Sequence, residues 1–351
     1  MPRTNPAPRA LQTRLLDWFD RHKRDLPWRR HAARNDPYRI WLVEIMLQQT
    51  RVPVAIPYYE RFLRAFPTVG KLARAPVEQV LRLWAGLGYY QRARHLHQAA
   101  WKIVREHRGR FPRALDEALA LPGVGPYTAR AVLSIAYRKP AAVVDGNVAR
   151  VLARVFRLEA ADVTTRGRFQ ELADRLVSPK RPGDFNQALM ELGSTLCLPR
   201  IPRCGACPLE GLCEARRAGL ERTIPRRQRA RPRPRLTLSV LALRQDGRLL
   251  LVREPGLFSG LWHFPYAPGT TPRRLARSYG AAGVSHIGTL RHQTTMRDLV
   301  LRVYAAKARS SAAPMRGKDS RSKKRWVHPE QIQQMAVGAS TRRIAALVER
   351  V

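Results

Sequence analysis

Four cysteines, and no others, lie between positions 197 and 213: Cys197, Cys204, Cys207 and Cys213, spaced C-x6-C-x2-C-x5-C. Thiolates packed this closely can converge on one metal centre, either an iron–sulfur cluster or a tetrahedral zinc. The alternative is two disulfides, which belong to oxidising compartments. The opening residues Met1 to Ala10 lack the apolar core of a secretory leader, so a metal is expected. Two carboxylates also stand where acid–base chemistry is possible. Glu44 interrupts the apolar helical stretch Trp41–Leu47. Burial there raises its pKa and suits it to donate a proton. An ion pair with one of the many arginines is the other reading, and the sequence leaves both open. Asp145 sits in VVDGNVAR (143–150), after an apolar run and before a new helix. Aspartate caps helix N-termini well, and capping is compatible with catalysis.

Two glycine turns lie between these groups. LPGVGPYTA (121–129) has glycines two apart at a helix start, where free backbone N–H groups can hold a phosphate. In most proteins such a turn is only a helix–helix corner. GLGYY (86–90) is a flexible turn bearing an apolar and an aromatic residue. Such side chains can wedge into a base stack, although aromatics at a corner more often belong to a core.

These groups need elements to position them. From Leu11 to about Arg217 apolar residues recur at three and four, as in Val148-Val151-Leu152-Val155, which predicts helices punctuated by Pro67, Pro76, Pro112 and Pro122. Glu221–Arg235 carries seven arginines and three prolines and is expected to be a stiff basic linker. Beyond it the period changes to two. Strands are predicted at 236–243, 248–253 and 298–304, with a turn at Asp246-Gly247, a closing helix at 342–348 and a mobile loop at 308–325. The expected organisation is a mainly helical domain at 1–220, the linker at 221–235, and a small α+β domain at 236–351. Lysine and arginine total 65 against 26 acidic residues, a formal net charge of +39. A polyanion is the natural partner, and nucleic acid rather than membrane, since no spanning or amphipathic anchor is evident. A soluble cytoplasmic protein is expected.

Together the segments Leu26-Pro-Trp-Arg29, Asp36-Pro-Tyr38, WLVEIMLQQTRV (41–52), GLGYY, LPGVGPYTA, VVDGNVAR and NQALMELG (186–193) resemble the MutY family of adenine DNA glycosylases. That family lies within the helix–hairpin–helix glycosylase superfamily. The resemblance runs from Leu11 to Cys213 and identifies the cysteine spacing as the superfamily's [4Fe–4S] pattern. It implies an enzyme that flips adenine mispaired with 8-oxoguanine or guanine out of duplex DNA and excises it. Glu44 would protonate adenine N7. Asp145 would stabilise the oxocarbenium-like sugar, with Tyr127 and Asn147 orienting sugar and carboxylate. Leu26, Trp28 and Arg29 would line the adenine pocket. Gln49, Thr50, Leu87 and Tyr89 would read 8-oxoguanine and fill the gap beside it. Leu121, Gly123 and Gly125 would grip the backbone, and the cluster would brace the basic loop 198–203. Tyr127 stands where endonuclease III-type enzymes place a Schiff-base lysine, so a monofunctional glycosylase is implied. A monomeric, nucleoid-associated bacterial protein with replication or repair contacts follows at family level.

The C-terminal half resembles the family's Nudix-like 8-oxoguanine-reading domain through LFSGLWHFP (257–265). No acidic residue lies between Glu254 and Asp298, so the carboxylate cluster a Nudix hydrolase needs for Mg²⁺ is missing. The family's damage-reading loop carries Phe-Ser-His, and Leu290-Arg291-His292 stands there instead. His292 is the matching residue. The competing readings are a bifunctional pyrimidine glycosylase/lyase, a zinc-holding DNA-binding protein without catalysis, and a nucleotide hydrolase.

Overall fold

The computed structural model describes residues 7–30, 35–159, 165–226, 232–254, 256–258, 260–294, 296–308 and 323–350. Helices come first along the chain: α1 (Pro8–His22), α2 (Pro37–Leu47), α3 (Val52–Ala65), α4 (Val69–Arg74), α5 (Val77–Trp84), α6 (Gln91–Glu106), α7 (Leu115–Leu119), α8 (Pro126–Ile135), α9 (Gly146–Val155), α10 (Thr165–Leu176), α11 (Pro182–Thr195) and α12 (Glu214–Arg217). A sheet follows, built of β1 (Arg235–Gln245), β2 (Arg248–Arg253), β3 (Tyr266–Pro268), β4 (Ala281–Gln293), β5 (Asp298–Ala308) and β6 (Lys323–Val327). Between and after its strands come α13 (Pro272–Ser278), α14 (Pro329–Ile332) and α15 (Ala339–Val348). No described helix is long and apolar enough to cross a membrane.

By contact the chain divides into two compact units. One comprises Met1–Arg74 with His95–Ala230, the other Ala75–Arg94 with Arg231–Val351. This differs from the boundary drawn at residue 220, because α5 and the first turn of α6 pack with the sheet. Polar bonds hold them there: Arg253 pairs with Glu78 at 2.7 Å, and the Tyr90 hydroxyl donates to the Val337 carbonyl at 3.1 Å.

Local chemistry explains the helices that matter most. Asp36 caps α2, accepting from the Tyr38 and Arg39 N–H groups, and Pro37 supplies the preset first turn. Apolar residues then surround α2, and Ile40 to Met46 are all buried, which makes it a core helix. In α9, Val148, Val151, Leu152 and Val155 form the buried stripe. That stripe packs with Leu11, Leu15 and Phe19 of α1 and Phe185, Leu189 and Leu192 of α11 into one core. Close approach of α9 to α11 depends on Gly193, where a Cβ would stand 2.7 Å from the Asn147 Cβ.

In the second unit the sheet order is β4-β5-β1-β2-β6, with β3 paired to β1. β1 and β5 run parallel from Arg235↔Asp298 to Arg244↔Lys307, and the other pairings are antiparallel. Leu238, Val240, Leu301, Val303 and Phe264 pack on one face with Ile344 and Val348 of α15. The opposite face buries Leu241, Leu243, Leu250 and Val252 under Leu275 and Ala276 of α13.

Three expectations need correcting. Leu290-Arg291-His292 is not in a loop: it lies in β4, opposite Leu301, Val300 and Leu299 of β5. Residues 323–325, expected in a mobile loop, are strand β6 paired with β2, while 309–322 lie outside the described residues. The start of the expected linker is packed, since Ile224 is buried and its carbonyl accepts from Arg154 Nε at 2.9 Å. Residues 227–231 are outside the described residues, and the linker's last residue, Arg235, already begins β1.

Candidate active site

Glu44 is 7% exposed in the middle of α2. Desolvation pushes its pKa up to about 7, opposed by a hydrogen bond from the Tyr127 hydroxyl, with the nearby Asp145 charge pushing the same way as burial. At neutral pH it is therefore poised between its acid and carboxylate forms. The apolar side chains around it, Leu42, Val43, Ile45 and Met46, each contribute roughly 1.5–3 kcal/mol on burial and offset the cost of withdrawing a carboxyl from water. No arginine pairs with Glu44 among the described residues. Arg29, the basic side chain near it, instead donates to Glu191 Oε2 at 3.0 Å and to Gln187 at 3.0 Å. Glu191 is the buried ion-paired glutamate of this site. Burial pushes its pKa up, but Arg24 and Arg29 outweigh that and hold it below the usual carboxylate range. The ion-pair reading left open for Glu44 thus falls on Glu191.

Asp145 caps α9, its Oδ1 accepting from the N–H groups of Asn147 at 2.9 Å and Val148 at 2.7 Å. The Asn147 side-chain amide donates to Oδ2 at 3.0 Å. Three N–H donors thus converge on one carboxylate. Asn147 is fixed in turn by Arg150, whose Nη2 donates to the Asn147 side-chain Oδ1 at 2.9 Å and to the Gly193 backbone carbonyl at 2.7 Å. Tyr127, at the start of α8, has its hydroxyl 3.0 Å from the Met190 sulfur and within hydrogen-bonding reach of Glu44. Burial and the two carboxylates raise its pKa well above the usual tyrosine value.

A cavity of about 790 Å³ brings together Glu44, Asp145, Tyr127, Asn147, Leu26, Trp28, Arg29, Gln49 and Thr50. It is large enough for a nucleoside-sized ligand. Trp28 is buried against Tyr59, edge to face with centroids 5.5 Å apart. Gln49, at the cavity's rim, holds a left-handed backbone at φ 58°, unusual for a residue with a side chain.

Elsewhere in the helical unit, the α7–α8 hairpin alternates buried Leu121 and Val124 with exposed Gly123 and Gly125. Gly123 has φ 74°, and a Cβ on it would meet the His95 Cβ at 2.6 Å. The four cysteines are free thiols lining one small cavity. Beneath them Arg154, 2% exposed, donates to the Leu198 carbonyl at 2.8 Å, the Pro199 carbonyl at 3.2 Å and Cys197 Sγ at 3.3 Å. Among the described residues no three such side chains are set to hold a single metal ion. Four thiols around one cavity are a donor set that suits an iron–sulfur cluster or a zinc ion.

Comparison with known proteins identifies the family. Residues 42–179 match the HhH-GPD superfamily of base excision DNA repair proteins. The chain is 35% identical to the adenine DNA glycosylase of Mus musculus, over 97% of this chain and 78% of that protein. This chain belongs to the adenine DNA glycosylase family. It is 38% identical to the Homo sapiens member over 84% of this chain and spans 66% of that member's length. Among solved structures, a thermostable thymine-DNA glycosylase superposes with a TM-score of 0.55 at 30% identity, covering 60% of this chain and 97% of its own.

Not every residue predicted for this family member lies in the cavity. Leu87 and Tyr89 belong to the sheet-containing unit, and Leu87 is buried while Tyr89 is 41% exposed. His292 is on β4, where burial and then the Arg343 charge lower its pKa. The hairpin and the cysteines form separate sites. Glu191, Arg150 and Arg154 were missed by sequence reasoning. Each had a signal: a charged residue set among the apolar positions of a predicted helix, as Glu44 was.

Proposed function

We propose that this chain excises adenine mispaired with 8-oxoguanine or guanine in duplex DNA, releasing the base without nicking the strand. The observation carrying this reading is the pairing of unlike carboxyl groups in one cavity: Glu44, whose pKa is near 7, and Asp145, held as an acceptor by three N–H groups. The adenosine flips out of the stack into the cavity, since its glycosidic bond cannot be reached inside a duplex. Glu44 gives its proton to adenine N7, so the base leaves neutral as the C1′–N9 bond breaks. Asp145 faces the positive charge that develops on the sugar and closes on C1′ as a transient adduct. Water then displaces Asp145, its proton going to Glu44. Tyr127 keeps Glu44 oriented and has no amine for a Schiff base, which leaves strand cleavage to other factors.

In the same reading, Gln49, Thr50, Leu87, Tyr89 and His292 contribute to reading the opposing base, and Gly123 and Gly125 bind a phosphate through their N–H groups. Cys197, Cys204, Cys207 and Cys213 hold a [4Fe–4S] cluster, which when bound braces the basic loop 198–203 against DNA. The C-terminal sheet binds rather than hydrolyses, for want of acidic metal ligands between Glu254 and Asp298.

Single-turnover cleavage of duplexes carrying adenine opposite 8-oxoguanine, guanine or thymine, developed with and without alkali, tests the reading. Breaks only after alkali, fastest opposite 8-oxoguanine, are expected. Breaks without alkali, or a borohydride-trapped adduct in good yield, would show a lyase. An absence of excision would leave Glu44 and Asp145 as structural groups.

A further inference from the structure

The turn at 86–90 is costly to hold in shape. Gly86 and Gly88 have φ of 110° and 73°, and Tyr89 holds φ 48° despite its side chain. Within the turn, Trp84 Nε1 donates to the Gly88 carbonyl at 3.1 Å, and the Arg92 guanidinium lies 5.3 Å from the Tyr89 ring centroid. Beyond these local bonds, the turn is fastened to the C-terminal part of its own unit. The Tyr90 hydroxyl accepts from the Gly86 N–H at 3.2 Å and donates to the Val337 carbonyl at 3.1 Å. Val337 is fully buried, and its strand-like neighbour Trp262 donates to the Ala336 carbonyl at 3.0 Å, so the acceptor is rigidly placed. Two outer fasteners flank this bond. Arg94 Nη2 donates to the Gly260 carbonyl at 2.8 Å, and Glu78 pairs with Arg253 at 2.7 Å. Gly260 has φ 85°, and any Cβ there would collide with the Arg94 guanidinium.

We propose that Tyr90 is a positioning residue for duplex recognition: through its hydroxyl, the segment around Val337 sets the shape of the 86–90 turn, keeps Leu87 packed and so aims the exposed Tyr89 at the base stack. The Glu78–Arg253 pair and the Arg94–Gly260 bond hold the two helices on either side. This rests on the proposed adenine excision, in which the 86–90 turn reads the opposing base. Its consequence is that substitutions near Val337 and Arg253 alter how the mismatch is opened without touching DNA.

The test uses the full chain, wild type and Tyr90→Phe, on duplexes with 8-oxoguanine opposite a non-cleavable 2′-fluoroadenosine. 2-Aminopurine placed beside the 8-oxoguanine reports unstacking. Losing one bridging hydroxyl should cut the preference for mismatched over matched duplex by about tenfold and weaken the 2-aminopurine rise. The excision rate at saturating enzyme should stay unchanged, while the thermal midpoint falls by a few degrees as the Val337 carbonyl loses its partner. A Tyr90→Phe protein with wild-type preference and wild-type 2-aminopurine signal overturns the inference. Glu78→Arg and Arg253→Glu provide a second arm: each alone should lower the preference, and the double exchange should restore it. If Tyr90→Phe fails to fold, absence of that rescue overturns the inference. A wild-type chain that neither excises adenine nor prefers the mismatch overturns the functional reading, and this inference with it.

Discussion

Burial makes the two protonation states of Glu44 unequal in cost. Lifting its pKa from 4.5 to about 7 corresponds to a penalty on the ionised form on the order of 3 kcal/mol. Between those values the folded chain keeps a proton that the unfolded chain releases. Stability from this group is therefore fully present below pH 4.5, falls as pH rises, and is lost above about 7. Glu44→Gln should accordingly stabilise the protein at pH 8 and have little effect at pH 4.5, as read by denaturant unfolding. Equal effects at both pH values would mean that Glu44 is not desolvated. The same titration governs catalysis: single-turnover excision should decline as pH rises through about 7, and Glu44→Gln should abolish it while mismatch binding persists. Asp145→Asn separates two roles in one residue. Asparagine still caps a helix, so stability should change by less than about 1 kcal/mol while excision is lost.

Helix packing is what delivers these side chains to one cavity. Asn147 and Gly193 face each other where α9 meets α11, with no room for a Cβ at position 193. Gly193→Ala should cost about 1–3 kcal/mol from overpacking and slow excision by moving Asn147 from Asp145, measurable as a lowered thermal midpoint together with a lowered single-turnover rate. At the α7–α8 hairpin, Gly123→Ala meets both an unfavourable φ and the His95 Cβ. There the expected loss is in duplex affinity, with the chemistry at saturating enzyme preserved. A Gly123→Ala protein that binds duplex normally would remove the hairpin from the DNA-binding surface.

Across the whole molecule, charge dominates encounter with DNA. With a net charge of +39, the chain should make many phosphate contacts and release many counterions. For six to ten contacts, affinity for undamaged duplex should drop by about 10³ to 10⁵ between roughly 50 and 200 mM salt. A flat response in a filter-binding or anisotropy titration would contradict a basic footprint. The cysteine site makes a second prediction at this scale. Purified protein should be brown, with visible absorption and about four iron atoms per chain, and removing the metal should weaken duplex binding as the loop 198–203 loses its brace. Colourless protein holding one zinc would sink the cluster assignment.

The sequence by itself determined the helices, the capping of α9 by Asp145, the four-cysteine set and the alternating strands β1, β2 and β5. In each the signal is local: periodicity, a cap before an apolar run, or close spacing of like residues. Strand β4 was not legible, because AAGVSHIGTLRHQ lacks clean alternation and two register shifts interrupt its pairing with β5. Only the partner strand reveals that His292 lies in a sheet. Tertiary structure alone decided which buried glutamate is free to carry a proton. Glu44 and Glu191 both interrupt apolar helical runs, yet Arg24 and Arg29 pair with Glu191 and leave Glu44 to the Tyr127 hydroxyl. Nothing local distinguishes them; the difference is which guanidinium groups the fold brings within reach. For the same reason the 86–90 turn could be found by its glycines, while its attachment to Val337, nearly 250 residues away in sequence, depended on long-range packing.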